Sequence, residues 1–241
     1  MQSSDGATEP LLRAPAPWRL HGRGYICMLR HDPTCRARDA FDAPTLAGRR
    51  LHSPYAWMMF VDYQQSDVGP YHELLFIPGR YPFENGRRHL SISRIFVSTM
   101  DSVVNGRRNW GIPKDQAQFD VRYRDGALES VTVSSADGHI ADLQFRSLPL
   151  WLPFSTALVP RSLRTLGQHH DGKTFIYTPS AQGWVKPARL LRAQVNPAMF
   201  PDLSRARPVL AVEVPRFRMT FPVSQVIETP PGQADDAAQA V

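Results

Sequence analysis

The sequence predicts a mainly β protein of α+β type, a curled antiparallel sheet or a closed barrel or cone enclosing a cavity, with a few short helices. Three observations carry this. Several segments alternate apolar and polar residues with a period of two, as where Phe119, Val121 and Tyr123 stand among Gln118, Asp120, Arg122 and Arg124. Short apolar runs are bounded by Pro and Gly. The 22 prolines argue against long helices anywhere.

In chain order, residues 1–17 are polar and without periodicity, which predicts a flexible N-terminal arm. Trp18 to Leu29 is the first strand. Tyr55 to Tyr63 and Tyr71 to Ile77 are apolar enough to be buried strands, with Asp67 to Pro70 turning between them, and His89 to Val97 follows as another. Ser98 to Asn105 is the best helix: Ser98 or Thr99 caps it, Asp101 sits in its first turn, and Gly106 is placed to close it. The clearest hairpin runs from Gln118 to Val133 around Asp125-Gly126. Ala141 to Arg146 repeats the alternation, so each strand is expected to have one wet and one buried face. Ser155 to Leu166 is a weaker helix candidate. Lys173 to Thr178, Gly183 to Val195 and Val209 to Phe221 are the later strands. Residues 229–241 form a second flexible tail, which leaves 18–228 as a single domain.

Composition bounds the function. The net charge is +6 and the pI about 9.7, but the arginines are scattered in ones and twos from Arg13 to Arg218. Without a dense basic run or a binding motif, no nucleic-acid partner is expected. No stretch approaches the roughly 20 apolar residues of a membrane span, and Met1 to Arg13 lacks the apolar core of a secretory signal. These features predict a cytoplasmic protein with no membrane partner. Cys27 and Cys35 have no His or Cys at zinc-ligand spacing and are expected as free thiols. His169-His170-Asp171 is read as a polar turn, because adjacent histidines point apart in an extended chain. Phosphate loops and dinucleotide fingerprints are absent. No cofactor and no metal are expected.

One stretch points to chemistry. Of 28 basic residues only Lys114, Lys173 and Lys186 are lysines. Arginine stays protonated near neutral pH, whereas a desolvated lysine can act as an amine nucleophile. Lys114 follows Trp110-Gly111-Ile112-Pro113 and precedes a strand, so a rigid turn aims it. Trp57, Met58, Met59 and Phe60 form an apolar run read as core. If one face of it lines the cavity, it favours a larger or more apolar substrate.

Gly106-Arg107 followed by Trp110-Gly111-Ile112-Pro113-Lys114 resembles the Gly-Arg…Pro-Lys segment of the acetoacetate decarboxylase family, whose lysine forms a Schiff base with its substrate. Pro17 to Tyr25 resembles the family's N-terminal strand, placing its active-site arginine at Arg23. Gly69-Pro70-Tyr71-His72-Glu73 resembles its Gly-x-Tyr-x-Glu segment, placing the glutamate at Glu73. The resemblance runs from about Pro17 to Ala117. It implies a cofactor-independent carbon-carbon lyase, most directly a decarboxylase of a β-keto acid, with Lys114 as nucleophile, Glu73 handling protons and Arg23 binding the substrate carboxylate. Aldolase-dehydratase chemistry on a pyruvate-like substrate by the same lysine, or non-catalytic binding of a small molecule, are the alternatives. Homo-oligomers are also implied by the resemblance.

Two departures stand out. The family's second lysine is replaced by Asp115, whose charge would favour an ammonium at Lys114 if the two side chains shared a cavity. In an extended chain they point to opposite faces. Met58 stands where the decarboxylase carries a second acid.

Overall fold

The computed structural model describes residues 11–31, 40–51, 53–124 and 127–228, without the side chains of 127–129. The arm 1–10, the tail 229–241, Cys35 and the expected Asp125-Gly126 turn lie outside the described residues.

The chain begins with β1 (Trp18–Arg30), then β2 (Tyr55–Gln65), β3 (Tyr71–Ile77), β4 (Gly79–Pro82), β5 (Arg88–Ser91) and β6 (Arg94–Val97). Helix α1 (Met100–Trp110) leads into β7 (Lys114–Gln116), the hairpin of β8 (Gln118–Arg124) and β9 (Ala127–Ser135), then β10 (Gly138–Ser147) and β11 (Leu152–Ser155). A single-turn helix, α2 (Arg161–Arg164), precedes β12 (Leu166–His170) and β13 (Lys173–Tyr177). Two long strands, β14 (Ser180–Val195) and β15 (Arg207–Phe221), and the short β16 (Gln225–Glu228) complete the chain.

The larger sheet has the order β7-β6-β3-β2-β1-β15-β14-β10-β9-β8, with β11 added beside β14. A five-stranded sheet has the order β16-β13-β12-β5-β4. Pairing is antiparallel apart from β6 with β7 and β5 with β12. The larger sheet curls on itself: Phe119 of β8 lies 6.5 Å, ring to ring, from Phe60 of β2, and Tyr123 of β8 hydrogen-bonds Asp62 of β2. This is the curled, mainly β architecture expected.

The curl has two hydrophobic cores, and strand alternation sorts residues between them. Met58, Phe60, Leu74, Phe76 and Phe96 pack with Val131, Val133 and Leu143 in one. Leu75, Ile77, Ile95 and Val97 pack with Trp18, Trp110, Phe175 and Tyr177 in the other, between the larger sheet, α1 and the small sheet. The expectation of one wet face per strand therefore fails for the central strands. Every residue of β3 except His72 is buried, because both faces meet a core.

Local departures have physical reasons. The stretch His89 to Val97 is not one strand: β5 joins the small sheet and β6 the larger one. The helix does not stop at Gly106. Thr99 caps its start, accepting from the Ser102 amide, and Asp101 lies in its first turn. Its left-handed cap is Gly111 (φ 64°), whose amide donates to the Arg107 carbonyl at 2.8 Å. The Ser155 to Leu166 candidate reduces to a 3-10 turn, Thr156–Leu158, and α2. Residues 11–17, expected within the loose arm, lie against α1: Asn105 accepts from the Ala14 amide and donates to the Leu12 carbonyl.

β1 crosses β2 so closely that a Cβ at Gly24 would lie 2.3 Å from the Phe60 carbonyl oxygen, a backbone atom that cannot step aside. Gly24→Ala is expected to cost at least roughly 1–3 kcal/mol, read as a lower denaturation midpoint. An unchanged midpoint would mean that β1 and β2 lie further apart than described.

Candidate active site

Glu73 sits in the middle of β3, opposite Val61 of β2 and Val97 of β6. Lys114 opens β7 and pairs with Ile95 of β6. Glu73, Leu75, Ile95, Val97 and Lys114 thus share one face of the sheet, the face covered by α1. The Gly111 cap and the contact between the Lys114 amide and the Ile112 carbonyl (2.8 Å) return the chain tightly from α1 into β7. The rigid Gly-x-Pro turn read from the sequence thereby delivers the lysine beneath the helix that precedes it.

Lys114 and Glu73 are 3% and 4% exposed. The Lys114 Nζ donates to Glu73 Oε2 at 2.9 Å and to the Ser102 hydroxyl at 3.0 Å, and lies 5.1 Å from the centre of the Tyr71 ring. Tyr63 donates to the other glutamate oxygen at 3.2 Å. Burial, and next the neighbouring Glu73 charge, raise the pKa of both Tyr63 and Tyr71 well above the usual tyrosine value. Both phenols therefore keep their protons through the working range. Space for the lysine stem comes from Gly106: a Cβ there would stand 2.7 Å from Lys114 Cδ and 2.9 Å from Cε.

Asp115 occupies the other face. One carboxylate oxygen takes Arg94 and the other takes Arg107 at 2.8 Å, so its charge is engaged away from the lysine. Met58 likewise belongs to the opposite core.

Arg23 is not brought to Lys114, a correction to its expected place. Its partners across the sheet, Asp62 and then His72, run along the row next to the one holding Gly24, Val61 and Glu73, and alternate rows face opposite ways. Its Nε meets Asp62 at 3.1 Å and its guanidinium lies 3.7 Å from the centre of the Tyr123 ring. Arg23 lines neither cavity beside the lysine.

Those cavities are unequal. A recess of about 30 Å³ touches Lys114, Glu73, Tyr63 and Tyr71. A larger cavity of about 410 Å³ shares Tyr63, Glu73, Leu75, Ile92 and Phe221 with it. Its walls include Trp57, Met59 and Phe60, so the apolar run read as core is divided: these three border the cavity and Met58 does not. Glu73 and Arg164 are the charged residues on its walls.

The sequence reading gave no part in the site to Tyr63, Tyr71 or Ser102, and took Gly106 for a helix cap. Tyr71 had a signal, since it stands two residues from Glu73 on a strand. Tyr63 and Ser102 depend on strand register and helix phase, which no local motif carries. His169 and His170 end β12, with the turn at Asp171 and Gly172, and face Glu84 and Asp171 respectively. Among the described residues no group of three or more His, Cys, Asp or Glu side chains is placed to hold a metal.

Residues 45–159 match the acetoacetate decarboxylase family model, a range that holds Glu73 and Lys114 but not Arg23. No curated protein matches the chain in sequence. Among solved structures, acetoacetate decarboxylase from Legionella pneumophila superposes with a TM-score of 0.62 at 16% identity, covering 92% of this chain and 93% of that one. An acetoacetate decarboxylase-like enzyme from Sphingomonas wittichii RW1 gives 0.64 at 12% identity, covering 95% of this chain and 100% of that one. The enduracididine biosynthesis enzyme MppR, complexed with pyruvate, gives 0.58 at 15% identity over 90% and 93% of the two chains. The matched segment resembles the acetoacetate decarboxylase family, and the chain shares its fold with acetoacetate decarboxylase and acetoacetate decarboxylase-like enzymes.

Proposed function

We propose that the protein is a lyase that forms a Schiff base between Lys114 and a keto acid and decarboxylates a β-keto acid. The observation that carries this reading is the buried Lys114 Nζ at 2.9 Å from Glu73, beside an apolar cavity. Proton transfer along that contact turns an ammonium and a carboxylate into an amine and a carboxylic acid. The amine adds to the substrate carbonyl and, with one proton taken up from solvent, water leaves, giving a protonated imine. The bond to the carboxyl carbon then breaks. Its electron pair moves into the imine, CO2 departs and an enamine remains. The Glu73 carboxyl protonates the enamine carbon, and water hydrolyses the resulting imine to release a ketone and free Lys114. Ser102 and Tyr63 hold the two reacting groups in place. Arg23 has no part in these steps.

A second reading, condensation of a pyruvate-like acid with an aldehyde, draws on the division of space: the lysine recess adjoins a larger cavity with room for a second reactant. Product analysis separates the two. CO2 from a β-keto acid supports decarboxylation, and a new carbon-carbon bond formed only with pyruvate supports condensation.

Borohydride reduction with a panel of β-keto acids and pyruvate is expected to fix one ligand to Lys114, detected by intact mass and peptide mapping and missing from Lys114→Ala. Glu73→Gln is expected to keep forming the adduct while kcat falls by about 10²–10⁴-fold. A folded wild-type protein that gives no adduct with any of these acids would count against the Schiff base.

Gly106→Ala separates stability from chemistry. Alanine favours the helix by up to about 1 kcal/mol, and the displaced atoms belong to a flexible side chain, so thermal stability is expected to hold. The lysine amine moves, and adduct formation is expected to slow by about 10²-fold, as misplacement of roughly 1 Å does elsewhere. An unchanged rate would remove Gly106 from the positioning of Lys114.

Asp115→Asn tests the separation of faces. It is expected to cost about 1 kcal/mol or less, because its partners are partly exposed, and to leave the rate of adduct formation within about twofold, a shift of roughly 0.4 kcal/mol. A large rate increase would mean that the Asp115 charge reaches the lysine.

A further inference from the structure

The larger cavity has a second end. It shares Thr156, Arg164, Ala181 and Met219 with an adjoining groove of about 460 Å³, as it shares Tyr63 and Glu73 with the lysine recess. The cavity therefore borders the lysine recess at one end and that groove at the other, and forms the candidate passage between them. The groove is basic: Arg19, His21, Arg164 and Arg218 line it, with Ser180, Gln182 and Thr220, and no carboxylate is among its lining residues. His21 of β1 and Arg218 of β15 stand directly opposite in register.

These cations are free to meet a ligand. Among the described residues none of the four forms an ion pair; Asp67 accepts only from the Arg19 backbone amide, and His21 meets Gln65. Arg164 is fixed in place by two main-chain carbonyls, Val159 and Pro179, at 3.2 and 2.6 Å, which leaves one terminal nitrogen of its guanidinium without a protein partner. An arginine held in this way is a prepared fork for a carboxylate or phosphate.

Resting on the Schiff-base reading above, we propose that the substrate is an elongated keto acid whose carbonyl meets Lys114, whose apolar body fills the passage, and whose far end carries an anionic group bound by Arg164 and Arg218. Acetoacetate is too small to fill an apolar space of about 410 Å³. A longer apolar substituent gains by leaving water for those walls, and the far anion gains charge-assisted hydrogen bonds.

Three β-keto acids test this: acetoacetate, one with a long alkyl chain, and one of the same length ending in a carboxylate. kcat/KM is expected to rise about tenfold or more at each step in that order, a step of roughly 1.4 kcal/mol. In Arg164→Gln and in Arg218→Gln the ratio of the carboxylate-ended to the alkyl acid is expected to fall toward one. In Ala181→Phe, which narrows the passage, the ratio of either long acid to acetoacetate is expected to fall. Equal rates for the two long acids, or arginine variants that leave their ratio unchanged, would overturn the anionic end. Adducts with acetoacetate but with neither long acid would overturn the whole inference while leaving the Schiff base intact. No adduct with any acid would remove the Schiff base and the inference with it. A phosphate-ended acid of equal length identifies which anion the groove prefers.

Discussion

The contact between Lys114 and Glu73 is the constraint on which the rest depends. Removing an ammonium and a carboxylate from water costs several kcal/mol for each ion, and their attraction offsets this only when geometry is good and the remaining polar atoms are satisfied. Here the satisfaction comes from three separate elements: Ser102 from α1, and Tyr63 and Glu73 from neighbouring strands β2 and β3. Their convergence requires a fixed strand register and a helix laid close over the sheet. Gly106 makes that approach possible, since any side chain at its position would enter the volume of the lysine stem. Burial of the pair and packing of α1 are thus one requirement.

Strand parity gives the sheet two electrostatic compartments. On one face stand Glu73 and Lys114; on the other, one residue away in each case, stand His72 and Asp115, with Arg23, Asp62, Arg94 and Arg107. Both faces carry ion pairs, but the sheet backbone and its flanking side chains separate them. A shift of register by one residue in β7 would exchange Lys114 for Asp115 and place a second carboxylate beside Glu73. The lysine is fixed against such slippage by the Gly111 cap at one end and its parallel pairing with β6 at the other.

What was legible in the sequence follows the same physics. The period of two located most strands, and the turn chemistry before Lys114 located the lysine, because both are local. Glu73 came from a local motif too. Gly106 was misread as a helix cap: glycine serves both as a cap and as a point of close approach, and only the position of Lys114 in space distinguishes them. Arg23 was legible as an arginine on a strand but not as to its face, which a register shift between His21 and Gly22 helps to set. The two-sided burial of β3 was hidden because the small sheet that covers it takes β12, β13 and β16 from far along the chain.

The other lysines show why access matters more than burial. Lys186 pairs with Glu213 at 2.7 Å, is largely buried and lies 5.3 Å from the Trp151 ring, so in charge and partner it imitates Lys114. Yet neither Lys186 nor Glu213 lines the recess, the passage or the groove. Lys173 is exposed at the start of β13 and has water in place of an apolar wall. A buried, paired lysine is a structural feature in many proteins; an electrophile can reach it only where empty space meets the amine. Among the three lysines that condition is met at Lys114, which lines the recess adjoining the larger apolar cavity.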